Sequence, residues 1–239
     1  MLGQLLEFSM TARPIAPALE FCRSLGFEDL QTGDFLDTPH AAVWDGTMCL
    51  GLHDKEFDSP ALTFVRPDLG DYLRGLRRLG IELAFSQLAD DEFNQAGFLD
   101  PNRQLVVLVE ARTFSPAVWD DERIAACGEF LEYSLATHST EESQAFWERL
   151  GLVVIASGDA PHDWVRMQGH GLVLGLHRTT AFHSALSFKA ASLDARVQYL
   201  QAKGLRLRRG TALSLDRRAS ATLLGPLETP IFMFGEGEH

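Results

Sequence analysis

Two glutamates, two histidines and their spacing carry the chemistry open to this chain. Glu7 lies in LLEFSMTA (Leu5–Ala12) and Glu132 in FLEYSLAT (Phe130–Thr137), while His53 and His177 each close an identical LGLH (Leu50–His53 and Leu174–His177). A carboxylate near an imidazole can relay protons or hold a divalent cation, because one supplies oxygen donors and the other titrates near neutrality. His183, two residues before Ala185, and Lys189, four after it, are further polar groups in the second half.

These residues recur because the chain is written twice. Glu7 to Glu132 is an offset of 125 residues, His53 to His177 is 124, Gly80 to Gly204 is 124 and Pro101 to Pro226 is 125. RSLGF (Arg23–Phe27) returns as ERLGL (Glu148–Leu152), and ALTF (Ala61–Phe64) as ALSF (Ala185–Phe188). An internal repeat of this length means two copies of one domain: residues 1–111 and 129–239, with 112–128 as a charged, proline-containing linker. The copies are expected to pack as an intrachain pseudo-dimer, in a chain that is a monomer or a homodimer.

Composition excludes several partners. With 33 acidic and 21 basic residues the net charge is −12, which disfavours nucleic acid and anionic membrane surfaces. The one basic cluster, RLRRG (Arg206–Gly210), reads as a solvated loop. No stretch has the roughly 20 apolar residues of a membrane span, and the start lacks a signal-peptide pattern, so the expected location is the cytoplasm. Cys22, Cys49 and Cys127 show no paired spacing and read as small buried groups.

Strand and helix patterns alternate within each copy. Leu5–Thr11 alternates as a strand and Pro14–Leu25 carries apolar residues at Ile15, Ala18, Leu19 and Cys22, one face of a helix. Strand-like runs follow at Ala41–Trp44 and Met48–His53, and then the unit restarts with Ala61–Val65 and a helix over Leu69–Leu79. The helices bury Leu69, Leu73 and Leu76 in one copy and Leu193, Val197 and Leu200 in the other. Ser139 and Glu142 have the spacing of a capping box. The predicted class is α+β: four βαβββ modules forming two domains with curved, cup-shaped mixed sheets.

The opening strand and helix with its LGF or LGL end, the ALTF and ALSF strands, and the closing FLDPNRQLVVLVE (Phe98–Glu110), echoed by LLGPLETPIFMF (Leu223–Phe234), resemble the vicinal oxygen chelate superfamily. That superfamily includes glyoxalase I, bleomycin and fosfomycin resistance proteins and extradiol dioxygenases. The resemblance implies a cup in which a metal is held from several strands. Its first-strand position falls on Glu7 and Glu132. The other positions fall on Ala61 and Ala185, Gly51 and Gly175, and Val107 and Phe232, none of which can ligate, so no metal or other cofactor is expected.

Strand alternation turns Glu7 with Ser9, and Glu132 with Ser134, into the cups. His53 and His177, two residues beyond the glycines, share that face and are expected at the rim, hydrogen-bonded locally. The alternative assembles Glu132, His177 and His183 into a displaced divalent-metal or acid–base site. Trp164, Arg166 and Phe232 in copy two, and Trp44 at the matching place in copy one, would line an apolar cavity suited to a flat or aromatic ligand. The pairs Pro39–His40 and Pro161–His162 read as turn chemistry. Binding of a small, apolar or aromatic organic molecule is the leading functional expectation. The alternative is a lyase, isomerase or dioxygenase-like enzyme with a shifted metal or acid–base site, and a third class is a partner-binding protein with filled cups.

Overall fold

The computed structural model describes residues 2–30, 39–89, 94–111 and 124–235. Four βαβββ modules follow one another. The first is β1 (Gln4–Thr11), α1 (Ile15–Ser24), β2 (Glu28–Leu30), β3 (His40–Trp44) and β4 (Cys49–His53); the second is β5 (Ala61–Arg66), α2 (Leu69–Arg78), β6 (Leu83–Gln87), β7 (Gln95–Leu99) and β8 (Leu105–Glu110). The third is β9 (Glu129–Thr137), α3 (Thr140–Arg149), β10 (Val153–Gly158), β11 (Trp164–Gly169) and β12 (Leu172–Arg178); the fourth is β13 (Ser184–Lys189), α4 (Leu193–Ala202), β14 (Leu207–Arg209), β15 (Ser220–Leu223) and β16 (Ile231–Phe234).

Each pair of modules makes one mixed sheet of eight strands, ordered β2-β3-β4-β1-β5-β8-β7-β6 and β10-β11-β12-β9-β13-β16-β15-β14. The modules join along β1 and β5, and along β9 and β13, both antiparallel. The first strand of each module lies parallel to its last, so the helix between them crosses over the sheet face. Leu69, Leu73 and Leu76 on α2 and Leu193, Val197 and Leu200 on α4 are buried against that face. Each such side chain contributes about 1.5–3 kcal/mol of burial.

A bulge precedes each glutamate. Leu5 pairs with Phe64 and Glu7 with Thr63, leaving Leu6 as an extra residue; Phe130 pairs with Phe188 and Glu132 with Ser187, leaving Leu131 extra. The extra residue shifts the alternation, so that Phe8 and Met10, or Tyr133 and Leu135, enter the core while the carboxylates turn to the face opposite the helices.

One continuous core runs through both copies. Phe8 stacks on Tyr133 at a centroid distance of 5.4 Å, and the Tyr133 hydroxyl donates to Gln104 Oε1 at 2.6 Å. The Gln104 amide in turn donates to the carbonyls of Pro60 (2.7 Å) and Leu105 (3.0 Å). Trp147 on α3 donates Nε1–H to Asp100 at 3.3 Å, and Phe21 on α1 lies against Gly225, the equivalent turn of the other copy. Burial pushes the Asp100 carboxyl up, against the lowering effect of the amides of Gln104 and Asn102.

Two local expectations change. Residues 112–123 of the expected linker lie outside the described residues, but Cys127 is fully buried and the Arg196 guanidinium donates to the carbonyls of Ala125 and Ala126 at 3.0 and 3.2 Å. Residues 125–128 are therefore packed chain rather than tether. At α3, Ser139 Oγ accepts from the Glu142 amide at 3.1 Å, but the Ser139 amide donates to Thr137 Oγ1, so only half of the capping box forms. All three cysteines are free thiols, and burial pushes Cys22 and Cys127 up to about 12. No helix among the described residues is long and apolar enough to cross a membrane.

Tyr133→Phe leaves the buried Gln104 carbonyl without its donor. The expected loss is about 1–3 kcal/mol, read as a lower urea midpoint with unchanged slope.

Candidate functional site

In the first sheet the Glu7 carboxylate lies across β4. A Cβ placed on Gly51 would come within 2.1 Å of it, so only glycine leaves room for the acid. Glu7 Oε1 accepts from His53 Nε2 at 2.7 Å and from Ser9 Oγ at 2.7 Å. Because Ser9 spends its hydrogen on Glu7, Thr63 donates to Ser9 across the 2.6 Å contact between them. The carboxylate accepts from Nε2–H, which leaves His53 Nδ1 with a free lone pair. His40 on β3 stacks over His53 at 6.0 Å, and the edge of Phe57 meets it at 5.9 Å.

The second sheet repeats this plan with one added charge. Glu132 lies across Gly175, where a Cβ would approach Oε1 to 2.0 Å. Glu132 Oε1 accepts from His177 Nε2 (2.6 Å) and Ser134 Oγ (2.7 Å), and Ser187 donates to Ser134 at 2.7 Å. Arg166 then donates Nε–H to Oε2 at 2.6 Å. Arg166 stands opposite Gly175 on β11; the residue opposite Gly51 on β3 is Ala42, so copy one has no such cation. Arg166 Nη2 is buried without a partner among the described residues.

Burial acts to raise the Glu132 pKa, but the hydrogen bond and charge of His177, with the charge and hydrogen bond of Arg166, together hold the carboxyl well below its ordinary range. His162 Nε2 faces His177 Nδ1 at 3.4 Å. Partial burial and the charges of His177 and Arg178 push the His162 pKa down, against Asp163.

The two sites differ in access. The His53 side chain is 14% exposed and that of His177 only 1%. Over the second site Phe182 packs on His177 and Phe232, and Ala185, Leu213, Phe232 and Phe234 form a buried apolar cluster.

Glu7, Ser9 and His53 are thus brought together, as are Glu132, Ser134, Arg166 and His177, and neither histidine confines itself to rim contacts. His183 is not among them: it precedes β13, is exposed, and lines a groove near Thr11 and Arg13, so the trio of Glu132, His177 and His183 does not assemble. Trp44 stands opposite Cys49, two register positions away from Ala42, which holds the place that Arg166 takes in copy two. Trp164 stands opposite His177 and donates to the Ala160 carbonyl at 3.2 Å, while Phe232 sits beside Ser187 in the apolar cluster. His40, read as a turn residue, stacks on His53, and His162, read the same way, meets His177 edge to face; their duplicated Pro-His spacing was the available signal.

A divalent cation needs several converging donors. Gly175, Ala185 and Phe232 offer none, and both oxygens of Glu132 already accept hydrogen bonds. No group of three or more His, Cys, Asp or Glu among the described residues converges as ligands would. The residues present do not fit the metal that the resemblance implies.

Since the Glu132 pKa is lowered in the folded chain, its stabilisation is present above the ordinary value of 4.5 and fades as pH falls below it. The stability difference between the wild type and Glu132→Gln, from urea unfolding, is expected to be largest near neutrality and to shrink below about pH 4.5.

No family model matches the chain, and no curated protein matches it. Solved structures align over nearly all of it. The 2,3-dioxygenase LapB from Pseudomonas sp. KL28 is 16% identical, with 100% of this chain and 95% of that chain covered and a TM-score of 0.64. BphC, a halotolerant catechol dioxygenase, is 12% identical over 100% and 88% with a TM-score of 0.62. A homoprotocatechuate 2,3-dioxygenase from B. fuscum is 13% identical over 98% and 71% with a TM-score of 0.66. With four βαβββ modules paired into two mixed sheets, the chain shares the fold of these solved dioxygenase structures over nearly its whole length.

Proposed function

We propose that the first sheet binds a small, flat organic molecule and that His53, oriented by Glu7, exchanges a proton with it. The observation that carries this reading is the 2.7 Å bond from His53 Nε2 to Glu7, on an imidazole that keeps partial exposure. The carboxylate fixes the tautomer and stabilises the imidazolium that forms when Nδ1 takes a proton. A positioned general base of this kind is worth about 10²–10⁴ in rate. The proton returns to the same or a neighbouring ligand atom, giving an isomerase type of reaction with no net oxidation. His40 and Phe57 supply flat walls for an aromatic ligand. The free thiols suit a reducing, cytoplasmic setting.

A second reading, a dioxygenase-like enzyme with a bound divalent metal, is supported by the named activities of the structures that share the fold. It requires donors on β13 and β16, where this chain has Ala185 and Phe232.

Deuterium wash-in from D₂O into a panel of aryl ketones reads the proposed proton transfer. His53→Gln is expected to cut exchange by about 10²–10⁴, with His177→Gln close to wild type among folded variants; exchange indifferent to His53 overturns the assignment. Anaerobic calorimetry with ferrous ion tests the second reading. The expected result is no stoichiometric uptake, and tight uptake lost in Glu132→Gln would establish the metal site instead.

A further inference from the structure

A groove of about 690 Å³ opens between the two copies, at the end of β1 and the starts of β5, β8, β13 and β16. Its volume is within the range of small-molecule sites, roughly 300–1,000 Å³. Arg103 and Glu228 line it, and they are the same position in the two copies, 125 residues apart. Both adopt left-handed backbone, with φ of 66° and 60°, so the repeated turn presents each side chain in the same way. Repetition has kept the turn and reversed the charge.

These charges are not spent on one another. Arg103 and Glu228 form no ion pair within 4.0 Å, and neither side chain has a partner among the described residues. Asp58 and the ring of His183, from nearly equivalent places before β5 and β13, line the same groove and are also unpartnered among the described residues. In its wall the Thr11 hydroxyl is shielded from water with no partner among the described residues, a polar group left unsatisfied. An identical pair of subunits would put like charges at both turns; only a diverged tandem chain makes this groove dipolar.

We propose that the groove is a binding site for a small zwitterion, its carboxylate held by Arg103 and His183 and its ammonium by Glu228 and Asp58. The proposal does not rest on the acid–base reading: neither Glu7 nor His53 lines the groove, and Phe57 is the residue the two sites share.

The test is calorimetry and thermal shift on the full chain with ω-amino acids from glycine to 6-aminohexanoate, with hexanoate and hexylamine as single-charge controls. At least one zwitterion is expected to bind at least tenfold more tightly than either control. Arg103→Glu and Glu228→Arg, both at exposed positions, are each expected to weaken it tenfold or more, and the double exchange to restore binding. Failure of every zwitterion to bind, equal binding of a control, or affinity unchanged in Arg103→Glu overturns the proposal. Glu7→Gln is expected to leave zwitterion affinity unchanged, which separates this site from the one at His53.

Discussion

A carboxylate laid across a glycine is the constraint around which each half of the molecule is organised. Glu7 occupies the space over Gly51, and Glu132 that over Gly175. An acid there must find donors, because a charge moved from water into protein costs several kcal/mol. Each copy answers with a histidine two residues beyond the glycine and a serine two beyond the glutamate. The bulge that aims the glutamate, the glycine that admits it and the histidine that pairs with it act as one unit. None is useful without the others.

The copies then complete that unit differently. Copy two adds the Arg166 guanidinium and closes the site with Phe182, Leu213 and Phe232, so its acid is fully compensated and sealed. Copy one has Ala42 where Arg166 stands and leaves His53 within reach of solvent. The same plan thus yields one interior ion-pair network and one accessible carboxylate–imidazole pair. A guanidinium also brings a fixed positive charge to Glu132 without asking for further ligands, which suits a strand set that ends in Ala185 and Phe232.

Much of this was legible in the amino-acid order. The repeat revealed the four modules, and alternation turned both glutamates away from the helices. The lateral pairings were not legible. Arg166 reaches Glu132 because β11 is registered on β12 with Arg166 opposite Gly175, whereas on β3 the place opposite Gly51 belongs to Ala42 and Trp44 falls opposite Cys49. His183 fell away from its expected site because β13 begins only at Ser184, leaving the ring outside the strand alternation. The bulges at Leu6 and Leu131 have no composition of their own, and they surface only as a change of register.

The contacts of Phe21 with Gly225 and of Trp147 with Asp100 run in opposite directions between the halves. Each copy therefore finishes the other's interior with an aromatic ring from its own first helix. A chain joined this way has no autonomous half: severed between the copies, each piece would display a ring with nothing to cover it and a turn with nothing upon it. Duplication here has produced mutual dependence, and melting should be all-or-none although the blueprint is double.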